Sequence, residues 1–156
     1  MNVVDGMPQF VHRTFAEFFT ARWFSRNFQY NTSVLERIFF DRTYLFMTVI
    51  FDRILARDCP LHCAVTDNDL KIFENLLKEG RDVNSLDKDG RNVMHIIAKH
   101  QSIIWYKINH NSENEVSLDL TESVLQWTPL HYAIKLGNGL LSSGYLKTML
   151  TDLAWI

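Results

Sequence analysis

Apolar positions in the first third of the chain recur at helical spacing. In "PQFVHRTFAEFFTARWFSRNF" (8–28), Phe15, Phe18, Phe19, Ala21 and Phe24 form a thick stripe, which predicts a helix with an aromatic face to bury. The next stretch, "NTSVLERIFFDRTYLFMTVIFDRILARD", carries Ser33 and Glu36 at capping-box spacing, so a helix begins near Val34. Its apolar positions are too dense for one face and predict two helices that break near Asp41 to Tyr44. Further on, Leu70, Phe73, Leu76 and Leu77 in "NDLKIFENLLKEG" mark another amphipathic helix, with Gly80 placed to close it as a left-handed cap. Asp87-Lys88-Asp89-Gly90 has the composition of a tight turn, Gly90 supplying the positive φ. The most apolar run, "YLFMTVIF", is flanked by Asp41, Arg42, Asp52 and Arg53 and falls far short of the roughly 20 residues a bilayer span requires.

The apolar pattern also repeats. "CPLHCAV" at 59–65 returns as "NVMHIIA" at 92–98 and as "TPLHYAI" at 128–134, so that His62, His95 and His131 stand 33 and 36 residues apart. A period near 33 with a T-P-L-H-x-A core is a repeat signature, in which each unit buries its apolar face only against its neighbours. Pro60 opens the first helix of its unit, where a missing N–H costs nothing. Leu61 and Ala64 then face inward, and Ala64 is small enough for a paired helix to approach.

With the connector "LLKEGRDVNSLDKDGRNVMH" (76–95), this pattern strongly resembles the ankyrin repeat family. The resemblance implies an all-α fold, a short solenoid of helix-turn-helix repeats with hairpin turns, preceded by a small helical region. It divides the chain into 1–57 and 58–156, with repeats at about 59–91, 92–127 and 128–156, the last two irregular. It assigns structural repeat positions to Leu61, His62, Ala64, Gly80, Gly90, His95, Ala98, Leu130, His131 and Ala133, with the histidines hydrogen-bonding around the turn. Cys59 stands where threonine is usual, and Asn92, Val93 and Met94 replace T-P-L in the second copy. The outer helix of that copy has to come from "SIIWYKIN". The polar stretch "HNSENEVSLDLTES" after it is long for a finger and lacks the Asp-x-x-Gly turn before Trp127. In the third copy Gly137, Gly139 and Gly144 interrupt the helix pair. No polar capping helix follows, and the expectation is a piece of a longer array.

Composition narrows the chemistry. The 156 residues carry 16 basic and 18 acidic side chains for a formal charge of −2, so no global field selects nucleic acid or an acidic membrane. Both cysteines lie within "CPLHC", which makes no disulfide framework and suits a reducing compartment. Cys59, His62 and Cys63 are zinc-type ligands, but a structural site needs four and no second cysteine pair exists. The spacing is not the Cys-x-x-Cys of thiol oxidoreductases either. The acidic and histidine residues fall on turns and repeat positions, without a nucleophile, base and orienter in sequence relation. No enzyme activity, metal or cofactor is expected, and a cytoplasmic location is.

The N-terminal segment Phe-Val-His-x-Thr-Phe-x-Glu-Phe-x-x-Ala (Phe10 to Ala21) is similar to the helix that closes the winged-helix end of NACHT-type NTPases. That resemblance would give His12 a contact with bound nucleotide in an intact parent protein. There is no G-x-x-x-x-G-K-[ST] phosphate loop in these residues. The function expected from the repeats is binding of another protein. By resemblance its surface is the hairpin row, here Arg81, Asp82, Ser85, Asp87, Lys88, Asp89 and Arg91, since loops on a rigid scaffold are where binding concentrates. The N-terminal resemblance supplies an alternative, a C-terminal fragment of a NACHT–ankyrin signalling ATPase.

Overall fold

The structure, a computed structural model, describes residues 2–4, 7–9, 12–27, 32–110 and 116–139. The chain divides into two compact units, Met1–Leu55 and Ala56–Ile156.

The first unit opens with a two-stranded antiparallel hairpin, β1 (Asn2–Val4) and β2 (Met7–Gln9), in which Val3 faces Pro8. The helix expected over 8–28 therefore starts later, as α1 (Arg13–Asn27). Pro8 explains the difference: it disfavours a helical Met7 and is tolerated in a ribbon whose strands are both edges. His12 starts α1 by accepting the otherwise orphan Thr14 N–H on Nδ1, at 3.2 Å. After α2 (Thr32–Phe39), Asp41 caps a 3₁₀ turn at Arg42–Tyr44 through the Thr43 N–H, and α3 (Leu45–Leu55) follows directly. The two-helix reading with a break at Asp41 to Tyr44 agrees with this. Helices α1 and α3 pack together, and the core holds Ala21, Phe24, Leu35, Phe39, Met47, Phe51 and Leu55. The rings of Phe39 and Phe51 lie 5.2 Å apart. The expected aromatic stripe splits, because Phe15, Phe18 and Phe19 stay exposed while only Ala21 and Phe24 go inside. Helix α1 is apolar on two sides, and α3 covers one.

The second unit is an all-α solenoid. Inner helices α4 (Pro60–Thr66), α6 (Val93–His100) and α8 (Pro129–Lys135) stack side by side, α6 against both of the others. Outer helices α5 (Leu70–Lys78) and α7 (Ile104–His110) return behind the first two. Because α6 has a repeat on each side, every residue from Val93 to Lys99 is buried. The buried core of this unit also holds Leu61, Ala64, Val65, Phe73, Ile104, Ile108, Tyr132 and Ala133.

Each inner helix ends in the same way. Asn68, Gln101 and Gly137 take left-handed conformations (φ 54°, 53° and 66°). The next residue but none then folds back: Asp69 N–H to Ala64 O, Ser102 N–H to Ile97 O, and Asn138 N–H to Ala133 O, at 2.8–3.2 Å. Gly137, read from the sequence as an interruption, is thus the third copy of a helix stop. Gly139 lies at the edge of the described residues, and Gly144 lies outside them. Counted from the histidines, the inward small position is Ala64, Ile97 and Ala133. Ala98, a structural repeat position by resemblance, matches Val65 and Ile134 in register and is fully buried. An isoleucine at the middle position is accommodated with no exposure.

Two glycines make a prediction. Gly80 (φ +79°) and Gly90 (φ +75°) share the left-handed conformation, but a Cβ on Gly80 meets nothing within 4 Å, whereas on Gly90 it lies 3.2 Å from Ser123 Oγ. Gly80→Ala is expected to cost about 1–2 kcal/mol, the backbone penalty alone. Gly90→Ala should cost more in urea denaturation; equal costs would show that the turn of Gly90 and the next turn, at Ser123, do not press together as described.

Candidate functional site

The turn between the first two repeats is built on one carboxylate. Asp87 N–H donates to Arg91 O at 3.0 Å and Gly90 N–H to Asp87 O at 3.1 Å, closing the hairpin. Asp87 Oδ1 accepts the N–H groups of Asp89 (2.9 Å) and Arg91 (3.0 Å). Oδ2 receives the Arg91 guanidinium from Nε (2.9 Å) and Nη2 (2.8 Å). Arg91 is only 1% exposed, and Asp87 and Asp89 are buried with it. Removing one member of a buried pair leaves the other uncompensated, at a cost of about 3–5 kcal/mol. Of the seven residues expected to face a partner, Asp87, Asp89 and Arg91 therefore face the interior. Arg81, Asp82 and Lys88 are exposed and Ser85 is half-buried. Leu86, which the sequence reading passed over, is 50% exposed beside them.

The next turn lacks Asp-x-x-Gly yet has the same design. Glu122 N–H donates to Trp127 O at 3.1 Å, and its carboxylate accepts N–H groups of Val124 (2.6 Å), Leu125 (2.9 Å) and Trp127 (3.1 Å). The turn is one residue longer than the first, and the longer glutamate arm spans it. Gln126 (φ 57°) takes the left-handed place that Gly90 holds in the first turn. A signal was present: an acidic residue stands eight positions before His95 and nine before His131.

Hydrogen bonds tie the turns into a ladder. Ser123 N–H donates to Asp89 O at 2.7 Å. Asn84 Oδ1 accepts the Ser117 N–H at 2.8 Å, and Asn92 Nδ2–H donates to Ser117 O at 2.7 Å.

The repeat histidines connect helix to turn. His62 Nε2 lies 2.7 Å from Arg91 O and His95 Nε2 lies 3.2 Å from Trp127 O. A carbonyl can only accept, so Nε2 carries the proton in both. In the later repeats Nδ1 then accepts from the helix cap: Asn92 N–H to His95 (3.2 Å) and Thr128 N–H to His131 (3.1 Å). The first repeat differs. Cys59 N–H is engaged with Ala56 O, the Cys59 thiol donates to Leu86 O at 3.4 Å, and buried His62 Nδ1 has no partner. Burial holds both His62 and His95 below the ordinary imidazole value, His95 at about 4 with the Arg91 charge adding to the effect. His131 is exposed, Leu130 and Gly90 are half-buried, and Gly80 is exposed.

The two cysteines are free thiols. Burial, then the Asp87 and Asp58 charges, push the Cys59 thiol up, away from the thiolate a metal would need. The Cys63 thiol donates to Ala56 O at 3.4 Å. Among the described residues no group of three or more His, Cys, Asp or Glu is arranged to hold a metal, and no helix is long and apolar enough to cross a membrane. His12 is exposed, its Nδ1 also 2.7 Å from Thr14 Oγ1.

The profile of ankyrin repeats, in three copies, matches residues 61–147. Neither a curated protein nor a solved structure matches the chain.

Two predictions follow from the buried polar groups. Cys59→Thr supplies a hydroxyl where His62 Nδ1 lacks a partner, and should raise stability by about 0.5–1.5 kcal/mol in chemical denaturation. No gain, or a loss, would mean the thiol bond to Leu86 O is worth as much. The second concerns Asp89, whose carboxyl oxygens have no hydrogen bond. Burial raises it to about 8, against the pull of Arg91 and Lys99 and with the push of Glu122 and Asp87. A raised carboxyl binds its proton more tightly in the folded chain, so its contribution is full below pH 4 and is lost as pH rises through about 8. His95 has the opposite sign between 6.5 and about 4, and the difference between Asp89→Asn and the parent chain removes it. That difference should grow in favour of Asp89→Asn from pH 5 to 8 and level off above; a difference flat with pH would place the Asp89 proton elsewhere.

Proposed function

Since this chain belongs to the ankyrin repeat family, whose members are generally protein-interaction modules, we propose that it binds another protein through the outward part of its hairpin row. The surface comprises Arg81, Asp82, Leu86 and Lys88, with Ser85 at its edge. The observation that carries this reading is the division of labour within the hairpin. Asp87, Asp89 and Arg91 are spent on internal bonds that fix the turn, so the exposed side chains between and before them are held on a rigid support. Rigid loops lose little entropy on binding, which favours recognition by a few outward side chains. Catalysis of its own is no part of the proposal. The two exposed cations and the apolar Leu86 suit a partner with an acidic patch beside an apolar residue.

The sequence motif Phe10 to Ala21 supports a second reading, in which these residues are part of a NACHT-type signalling ATPase and His12 contacts nucleotide there. In the described structure His12 is exposed at the start of α1, free of core packing. An in-frame phosphate-loop sequence upstream in the same transcript would support that reading, and an upstream stop codon would sink it.

Charge reversal tests the first reading. With the whole chain as bait, Arg81→Glu combined with Lys88→Glu should abolish capture of a partner identified with the parent chain while leaving the thermal transition unchanged. Both side chains are exposed, so folding is spared. Undiminished capture by the double variant rules the hairpin row out as the contact surface.

A further inference from the structure

The outward side of α1 is built from two ridges. Residues three and four apart are neighbours on a helix surface, so Phe15, Phe19 and Trp23 form one row and Phe18, Arg22 and Arg26 the row beside it. All six side chains are exposed, Phe15, Phe19 and Trp23 by more than half. The opposite side of the helix is already used, since Ala21 and Phe24 are buried there and α1 packs on α3. The outward rows add nothing to that core.

The rings are braced and two of the cations are available. Phe19 meets Phe18 edge to face at 5.6 Å, and Trp23 meets the buried Phe24 in the same way at 5.2 Å. Aromatic side chains braced like this lose little rotamer freedom when they are covered. Arg13 is engaged by Glu17 at 2.9 Å and donates to Thr43 O. Glu17, the one carboxylate of the helix, has a side chain only 12% exposed. The guanidinium groups of Arg22 and Arg26 form no ion pair among the described residues.

Charge and shape select the occupant. Covering four aromatic rings takes apolar side chains, and Arg22 and Arg26, one turn apart, call for anions at the same spacing. A helix with an acidic row beside an apolar one supplies both when its ridge packs into the groove between the two rows of α1. A second copy of the chain does not, because each described helix carries at most one acidic residue. A formal charge of −2 gives nucleic acid and an anionic bilayer no attracting field.

We propose that the outward face of α1 is a docking site for an acidic amphipathic helix of another protein. Its apolar row lies over Phe19 and Trp23, and two of its carboxylates, four residues apart, pair with Arg22 and Arg26. The surface shares no residue with the hairpin row and stands or falls separately from it.

The test uses the full chain and two designed helical peptides with the same row of leucines. One carries glutamates along the neighbouring row and the other lysines. Fluorescence anisotropy should show the glutamate peptide binding at least about tenfold more tightly than the lysine peptide. Arg22→Glu combined with Arg26→Glu should invert that preference, and Phe19→Ser should weaken the glutamate peptide at least about tenfold. Should Phe19→Ser shift the thermal transition, Phe15→Ser reads the same row. Arg81→Glu combined with Lys88→Glu should leave the preference as it is. Equal binding of the two peptides, or binding of neither, overturns the proposal, as does a preference that survives the reversal of Arg22 and Arg26. A preference lost on reversing Arg81 and Lys88 would put the acidic helix on the hairpin row instead. Two further outcomes make the occupant something else and the proposal wrong. One is binding to phosphatidylcholine–phosphatidylserine vesicles that Arg22 and Arg26 control while neither peptide is preferred. The other is a parent chain that dimerises and is made monomeric by Phe19→Ser.

Discussion

The bond from an inner-helix imidazole to the carbonyl before the next helix sets the geometry of the repeat unit. It is a side-chain bond across about 30 residues of chain, from His62 to Arg91 and from His95 to Trp127. It fixes how far each hairpin stands from the helix behind it. It needs a proton on Nε2, and burial keeps the ring neutral by making the charged form costly, so that Nδ1 is left as an acceptor. The helix cap then sets the tautomer, because the N–H of Asn92 or Thr128 donates to Nδ1. A threonine or asparagine at the cap and a histidine three residues later are therefore one device. Cys59 breaks the device in the first repeat, where Nδ1 is left bare although Nε2 still makes its bond.

The hairpins depend on that bond and add a second constraint of their own. A carboxylate at the base of each turn gathers the N–H groups that a tight turn strands, Asp87 for the four-residue turn and Glu122 for the longer one. Burying Asp87, Asp89, Arg91 and Glu122 together is electrostatically expensive, and such groups give weaker evidence of stability than of a uniquely specified arrangement. Asp89 shows the cost most plainly, with a buried carboxyl group that receives no hydrogen bond among the described residues and has the Arg91 Nε at 3.8 Å. What the arrangement yields is a row of turns whose outward side chains are few and fixed.

The two units differ in how their apolar surface is used. In the described repeats α6 is packed between α4 and α8, and the exposed large apolar side chains are Leu86 in the hairpin row, Ile72, Ile103 and Tyr106 on or beside the outer helices, and Ile134 on α8. Helix α1 instead has Phe15, Phe19 and Trp23 on its outward side, each more than half exposed. Exposed apolar surface of this kind commonly marks a contact site.

The repeat architecture was legible in the sequence because its determinants are local and periodic. A proline or cap residue, a leucine, a histidine and a small residue at fixed offsets specify a helix start and an inward stripe, and Gly80 and Gly90 mark the stops that only a left-handed backbone allows. The same locality hid other features. Asp87, Asp89 and Arg91 are charged residues in a turn, and nothing in one-dimensional spacing says that they point inward; the stacking of their turn on the next one, at Ser123, decides it. Gln126 has no glycine's signature, and it takes the left-handed place because Glu122 holds the backbone around it. The chain by itself determined the repeats, their period and the helix ends, since these follow from neighbouring residues and backbone sterics. Which charges are buried and which apolar side chains stay exposed were decided by tertiary structure, because each is a contest between groups distant in sequence that meet only when the repeats have stacked.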